Sequence, residues 1–364
     1  MNNNLKINKN DFSVYIFFFL ISLCKGIGLN NGNEIYLIIY LIGMCLATIK
    51  LLKIGFNKKE LISILSILFI GLIDFFIAKE TTILFTGITL AFLKKSNLRS
   101  VIKALFLGRV IGLIFMIALP VSGILKMNIV SFYRNGEFIK RYAFGYSHPN
   151  LMHSTFNVVI IMWLYLNYEK INLKNICICG ILNYILYKYT CSRTGFLLLG
   201  VFLIIAYFTK KSKKIQEKIP KCLNIIFLCS ILIGVILAYG YGKFEIVSKF
   251  DTILTGRIKY LSILIKNYFP PLIKIHSYQN ILFDNGYFDL LYNGGILATI
   301  WYIYMQLKTN SIIREKKMYK EALVIIIFMI YSITESYYAS SIMNIGIIFF
   351  SYALYSSSNL TIKD

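Results

Sequence analysis

Charge is scarce in this chain, and negative charge scarcest. Only 15% of the 364 residues are charged, with 16 Asp and Glu against 39 Lys and Arg, while 57% are hydrophobic. A soluble fold has too little interior for so much apolar side chain, so lipid must cover the remainder. There are five prolines and no low-complexity tract, which leaves no flexible linker and points to a single polytopic membrane domain over 1–364. Cysteine pairs at zinc or redox spacing are missing. Cys24, Cys45, Cys177, Cys179, Cys222 and Cys229 lie in apolar runs and Cys191 at the edge of one, so all seven read as small buried apolar residues. No small-residue cleavage site follows Lys6 and Lys9, so the first apolar stretch is expected as an uncleaved span.

Several chemical signatures are also absent. The sequence has no Gly-x-x-x-x-Gly-Lys-Ser/Thr loop, no His-Glu-x-x-His and no carboxylate pair at metal-ligand spacing. ATP hydrolysis and metal-centred chemistry are therefore not expected, and neither a metal nor a cofactor is assigned. The net charge of +23 would suggest nucleic acid in a soluble protein. Here the lysines cluster between apolar runs, which is how topology signals look, so no nucleic-acid partner is expected.

What the sequence does have is apolar runs long enough to span. Crossing the hydrocarbon core takes about 20 helical residues. Twelve runs are candidates, the fourth of them short: 12–29, 35–52, 61–78, 80–93, 100–120, 149–168, 174–190, 192–209, 222–242, 286–307, 321–337 and 340–357. Helices are expected because an open sheet edge cannot be satisfied in lipid. The predicted fold is thus an all-α polytopic membrane protein of about twelve transmembrane helices. Placing both termini in the cytoplasm collects most lysines and arginines inside, and leaves only Lys79 and Arg193 in the short outer turns.

Two long loops, about 121–148 and 243–285, then fall on the extracytoplasmic side. Both are basic: the first carries Lys126, Arg134, Lys140 and Arg141, the second Lys243, Lys249, Arg257, Lys259, Lys266 and Lys274. An anionic ligand at that face is one reading; the other is that long loops cross regardless of charge. In the second loop Ile246, Phe250, Ile253, Leu254, Leu261, Leu264 and Ile265 recur at helical spacing before Pro270 and Pro271. That pattern predicts one amphipathic helix over about 245–268, lying on the outer membrane surface or packed as a lid.

Charged residues within spans are costly, about 2.5–3.5 kcal/mol each at the centre. Lys25, Asp74, Arg109, Lys188 and Glu335 are of this kind. Lys25 and Lys188 are expected to snorkel, and Asp74, Arg109 and Glu335 to face a polar cavity opening outward. Helix starts are expected in the same region, at His148-Pro149-Asn150, Ser192-Arg193, Asp284-Asn285-Gly286 and Ser340-Ser341. Each is an ordinary cap on its own. Together with Arg193 and Arg141 they suit a phosphate, through free N–H groups and fork-shaped guanidinium contacts.

Four segments carry a resemblance: Arg141 to Asn150 (RYAFGYSHPN), Ser192-Arg193-Thr194-Gly195, Thr255-Gly256-Arg257 and Asp284-Asn285-Gly286-Tyr287. In their order, and in the long loops that hold two of them, the chain resembles the Wzy-type polymerases of bacterial surface polysaccharides, related to the O-antigen ligases. The resemblance implies a GT-C-type glycosyltransferase fold with an extracytoplasmic active site. It implies metal-independent transfer of a growing glycan from polyprenyl diphosphate onto a lipid-linked repeat unit, making a capsular or O-antigen-type polymer. The expected partners are lipid-linked oligosaccharide units, membrane lipid, and flippase and chain-length regulator proteins.

On this resemblance Arg257 and Arg193 clamp the diphosphate, with Arg141 next and Arg134 behind it. His148 is a polar contact to sugar or phosphate, and Asn150, Asn285 and Tyr287 complete the substrate-binding set. Asp284 stands where the ligases carry a histidine; it is either a general base for a sugar hydroxyl or a helix cap. Two other readings stand beside the polymerase. A flippase for lipid-linked oligosaccharide would show a two-fold repeat of its halves, which is not apparent. A ligase-like transferase would need the histidine that Asp284 replaces.

Overall fold

The computed structural model describes residues 11–29, 33–134, 137–254, 256–274 and 284–355. The described chain is mostly helical. Its elements run α1 (Phe12–Gly26), α2 (Glu34–Leu52), α3 (Lys58–Ala78), α4 (Thr82–Phe92), α5 (Leu98–Val121), β1 (Asn128–Arg134) and β2 (Glu137–Phe144). They continue α6 (Pro149–Leu166), α7 (Leu173–Thr190), α8 (Arg193–Lys211), α9 (Lys213–Gly240), α10 (Glu245–Ile253) and α11 (Arg257–Asn267). Last come α12 (Gly286–Asp289), α13 (Gly295–Glu315), α14 (Tyr319–Tyr331) and α15 (Phe350–Tyr355). Five of these, α2, α3, α5, α8 and α9, are long and apolar enough to cross a membrane. Their exposed faces are apolar: Ile38, Leu41, Ile42 and Ile49 on α2, and Leu65, Phe69 and Phe76 on α3.

The starts of the long helices are set by side chains that satisfy otherwise orphaned amides. Asn33 accepts from Ile35 and Tyr36 ahead of α2, Asn97 accepts from Ser100 in α5, and Ser212 accepts from Ile215 in α9. Contacts divide the chain into two compact units, Met1–Phe56 with Ala91–Ile204, and Asn57–Leu90 with Ile205–Asp364.

In the first unit α1 packs along α5 and α2, and α5 along α6. The α1–α5 approach is close because Gly108 has no side chain: a Cβ there would lie 2.3 Å from the Phe19 carbonyl oxygen. Arg109, the next residue, is fully buried and its Nε donates to Ser22 Oγ at 3.4 Å. The loop expected over 121–148 is largely a β-hairpin, with Val130 opposite Arg141 and Phe132 opposite Ile139. Ala143 and Tyr146, at the hairpin's end, pack with Leu113, Met152, Val159 and Leu186 in one apolar cluster. Among the described residues this hairpin is the one departure from an otherwise helical chain. Its residues are rich in the β-branched and aromatic types that fit a pleated surface.

In the second unit α9 packs against α14, α11 and α13. α14 is 13 residues long, and Leu323 through Met329 are all buried. Over these residues α14 is covered by protein on every side. The run expected at 321–337 ends at Tyr331. Beyond it the backbone is irregular to Asn344, and side chains satisfy its carbonyls, as buried backbone requires. Thr86 Oγ1 and Tyr302 OH both donate to the Ala339 carbonyl at 2.9 Å. Ser340 and Ser341 do not open a helix; a short 3-10 stretch begins at Ile345 and α15 at Phe350. The run expected at 286–307 is broken too: α12 is followed by a π-helical turn, Leu290–Gly294, before α13.

The amphipathic segment of the second loop is two helices, α10 and α11. They part at Gly256, whose φ of 85° is a left-handed conformation that favours glycine. Thr255, residues 275–283 of that loop, and the terminal lysines Lys6, Lys9 and Lys363 lie outside the described residues.

Candidate functional site

The second unit gathers three charged groups around the start of α11. Arg257 is its first residue. Arg257 Nε lies 3.1 Å from Asp284 Oδ2, and Nη1 lies 3.0 Å from Glu335 Oε1. Nη1 also donates to the Thr334 carbonyl. The two carboxylates differ in setting. The Glu335 side chain is 9% exposed and the Asp284 side chain 44%. Burial works against the Arg257 charge, but Glu335 first and Asp284 second outweigh it and push its pKa above the ordinary value.

The helix start beneath Arg257 is held from outside. Gly256 has no side chain to cap with, so Asp251 of α10 does the work: its Oδ1 accepts from the Ile258 amide at 2.7 Å and the Lys259 amide at 3.2 Å. A narrow cleft beside the arginine is lined by Leu254, Leu261, Gly234 and Asn285. Asn285 caps α12 by accepting from Tyr287 and Phe288, and its Nδ2 donates to the Ile333 carbonyl at 3.0 Å. Tyr287 is buried, donates its hydroxyl to the Met329 carbonyl at 2.8 Å and packs on Phe227 and Tyr338. Asn285 and Tyr287 are thus engaged in joining α12 to the segment around α14.

Arg141, His148, Asn150 and Arg193 lie in the first unit. Arg141, on β2, donates from Nε to the Thr190 carbonyl at 2.7 Å and from Nη2 to Asn150 Oδ1 at 2.5 Å. Its guanidinium also rests over the Phe132 ring. The positive charge thus meets the carbonyl end of α7, where cations are favoured. His148 is the N-cap of α6, and its Nδ1 accepts from the Asn150 amide at 3.2 Å. Arg193 opens α8 and is half-buried. The side chain of Arg134 lies outside the described residues.

Behind Arg141 is a buried polar network that the sequence reading did not single out. His153 is fully buried; its Nδ1 lies 2.9 Å from Thr190 Oγ1 and its Nε2 3.0 Å from Asn183 Oδ1. Asn157 Nδ2 donates to the Gly195 carbonyl at 2.9 Å, and Asn183 Nδ2 donates to the Phe196 carbonyl at 3.0 Å. These bonds tie α6, just after the Arg141 to Asn150 segment, to α7 and to the start of α8. A sequence signal existed: His153 and Asn157 are four apart on an otherwise apolar helix, which puts them on one face.

Glu335 is the other residue to add to the expected site. Expected to face a polar cavity, it is paired instead with Arg257. No family model matches the chain, and comparison with curated proteins and with solved structures gave no match.

Proposed function

We propose that this chain is a surface-polysaccharide polymerase that transfers a growing glycan from polyprenyl diphosphate onto a lipid-linked repeat unit. The observation that carries this reading is Arg257, set at a helix start between one buried and one half-exposed carboxylate. As it stands, one guanidinium faces two carboxylates, so a diphosphate must displace one of them. Asp284 is the displaceable partner by its exposure, and Glu335 stays as the group that positions the arginine. Donor binding at Arg257 then frees Asp284 to act as base.

The acceptor hydroxyl attacks the donor's anomeric carbon and gives its proton to Asp284. The new C–O bond forms as the bond to diphosphate breaks, and polyprenyl diphosphate leaves against Arg257. Stabilising that leaving charge in a site shielded from water is the large term expected of such an arginine. The finer architecture belongs to the same proposal: about twelve spans in a GT-C-like arrangement, both termini in the cytoplasm and the Arg257 cluster on the extracytoplasmic face. Arg193 and Arg141 are kept, within the first unit, as further candidate contacts for an anion.

The test is polymer length. Wild type, Arg257→Ala, Arg193→Ala and Asp284→Asn are purified, supplied with lipid-linked repeat units in liposomes, and the products resolved on a gel. A ladder from wild type that collapses to single units in Arg257→Ala supports the polymerase. Units crossing the bilayer with no ladder from wild type mean a flippase instead.

A further inference from the structure

The second unit contains another cavity, of about 110 Å³, several times the space one water needs. The end of α3 contributes Asp74 and the start of α4 Ile83. The end of α12 contributes Asp289 and the π-helical turn after it Asn293, and the irregular turn after α14 contributes Ser336 and Ser340. Asp74 is 1% exposed; the Lys274 backbone N–H is directed at it, yet neither carboxylate oxygen reaches full hydrogen-bond geometry with a protein donor. Lys274 and Glu80 are the charges it faces, but the Lys274 ammonium is engaged by Glu80 Oε1 at 3.2 Å. Asp289 is only partly satisfied from within: its Oδ1 accepts from Asn293 Nδ2 at 2.8 Å.

Buried acceptors without donors are costly, and a ligand bearing donors removes that cost. The lining narrows the choice of ligand. Carboxylates repel an anion. A metal ion needs several ligating groups converging, and no group of three or more His, Cys, Asp or Glu among the described residues is arranged to hold one. The wall combines carboxylate acceptors with the Ser336 and Ser340 hydroxyls and the apolar Ile83 and Leu290. A sugar ring offers the matching surface, with vicinal hydroxyls that donate and accept and C–H faces between them.

We infer that this cavity is a saccharide subsite, in which Asp74 accepts hydrogen bonds from the hydroxyls of a sugar ring. Its position fits the acceptor unit: the turn that presents Glu335 to Arg257 presents the next residue, Ser336, to the cavity. The choice of a saccharide rests on the glycan-transfer reading above.

The test is equilibrium binding, independent of turnover. Wild type in nanodiscs is titrated with free galactose, N-acetylglucosamine and glucosamine by saturation-transfer NMR, alongside Asp74→Asn, Asn293→Ala and, as a control on the exposed side of α10, Lys249→Ala. Binding by wild type, weakened about tenfold or more in Asp74→Asn and Asn293→Ala and unchanged in Lys249→Ala, is the expected result. Thermal melts that stay level across the variants exclude misfolding, and the two independent cavity variants guard against one failing to fold. Wild type that binds none of the three sugars, or cavity variants that bind as wild type does, would overturn the inference. Sugar binding by a wild type that makes no polymer ladder would sink the polymerase and leave the subsite standing.

Discussion

The Asp251 carboxylate accepts the Ile258 amide at 2.7 Å, so the last turns of one short helix cap the first turn of the next. The link fixes where Arg257 stands. With Gly256 unable to cap, Asp251→Ala leaves two first-turn amides without an acceptor. Loss of a cap costs about 1 kcal/mol, within about 0.5–2. Hydrogen exchange of the peptide over 257–267 is expected to quicken by several-fold to about tenfold, with Asp251→Asn in between. Unchanged exchange in the alanine variant would show that α11 is held elsewhere.

The two carboxylates on Arg257 should behave differently when neutralised. Glu335 is buried, and removing it as Glu335→Ala leaves a largely buried guanidinium with only the half-exposed Asp284 as counter-charge, a change that costs up to about 3–5 kcal/mol. Asp284 is 44% exposed, so Asp284→Asn belongs with exposed pairs, at about 1 kcal/mol or less. Thermal unfolding in one detergent is expected to show a large drop for Glu335→Ala and almost none for Asp284→Asn. The reverse order would mean that Asp284, not Glu335, positions the arginine, and that donor binding cannot displace it cheaply.

These pairings mark the boundary of what the sequence carried. The long apolar helices were legible because each repeats a local property over about 20 residues. The hairpin at Asn128–Phe144 was not: Ile129, Tyr133 and Phe138 are exposed, so the polar-out alternation that identifies a half-buried strand is blurred. α14 was legible as apolar, but whether lipid or protein surrounds it depends on its neighbours. Arg257 and Asp284 were singled out separately, each from its own short segment. Their mutual contact, and the contact of Arg257 with a glutamate 78 residues away, have no local signature. The irregular backbone after Tyr331 is likewise held by contacts from distant parts of the chain, from Thr86 and Tyr302.

Gly195 shows such a distant dependence in a testable form. A Cβ there would lie 2.7 Å from His153 Cδ2, and His153 is locked between Thr190 and Asn183. Gly195→Ala is expected to destabilise by about 1–3 kcal/mol, the usual cost of overpacking. His153→Ala removes the obstructing ring at its own cost. The double variant should therefore be more stable than the sum of the single losses, with a coupling of about 1 kcal/mol or more. Strict additivity would show that the two residues do not press on each other.

Arg141 offers a test of shape against charge. Its guanidinium spends two directions at once, one on the Thr190 carbonyl and one on Asn150 Oδ1, while its face lies over Phe132. Lysine keeps the charge but has neither the planar fork nor the stacking face. If the local structure depends on the fork, Arg141→Lys should lose nearly as much stability as Arg141→Ala. Each change would cost about 1.5–3 kcal/mol, the range for hydrogen bonds to a charged group. If charge at the end of α7 is what matters, lysine should recover most of the loss, because the helix-end attraction is worth about 0.3–1 kcal/mol and needs no particular geometry. Melting curves of the two variants in the same detergent separate these outcomes. A lysine variant as stable as wild type would remove Arg141 from the set of shape-determining residues and return it to the reading in which it waits for an anion.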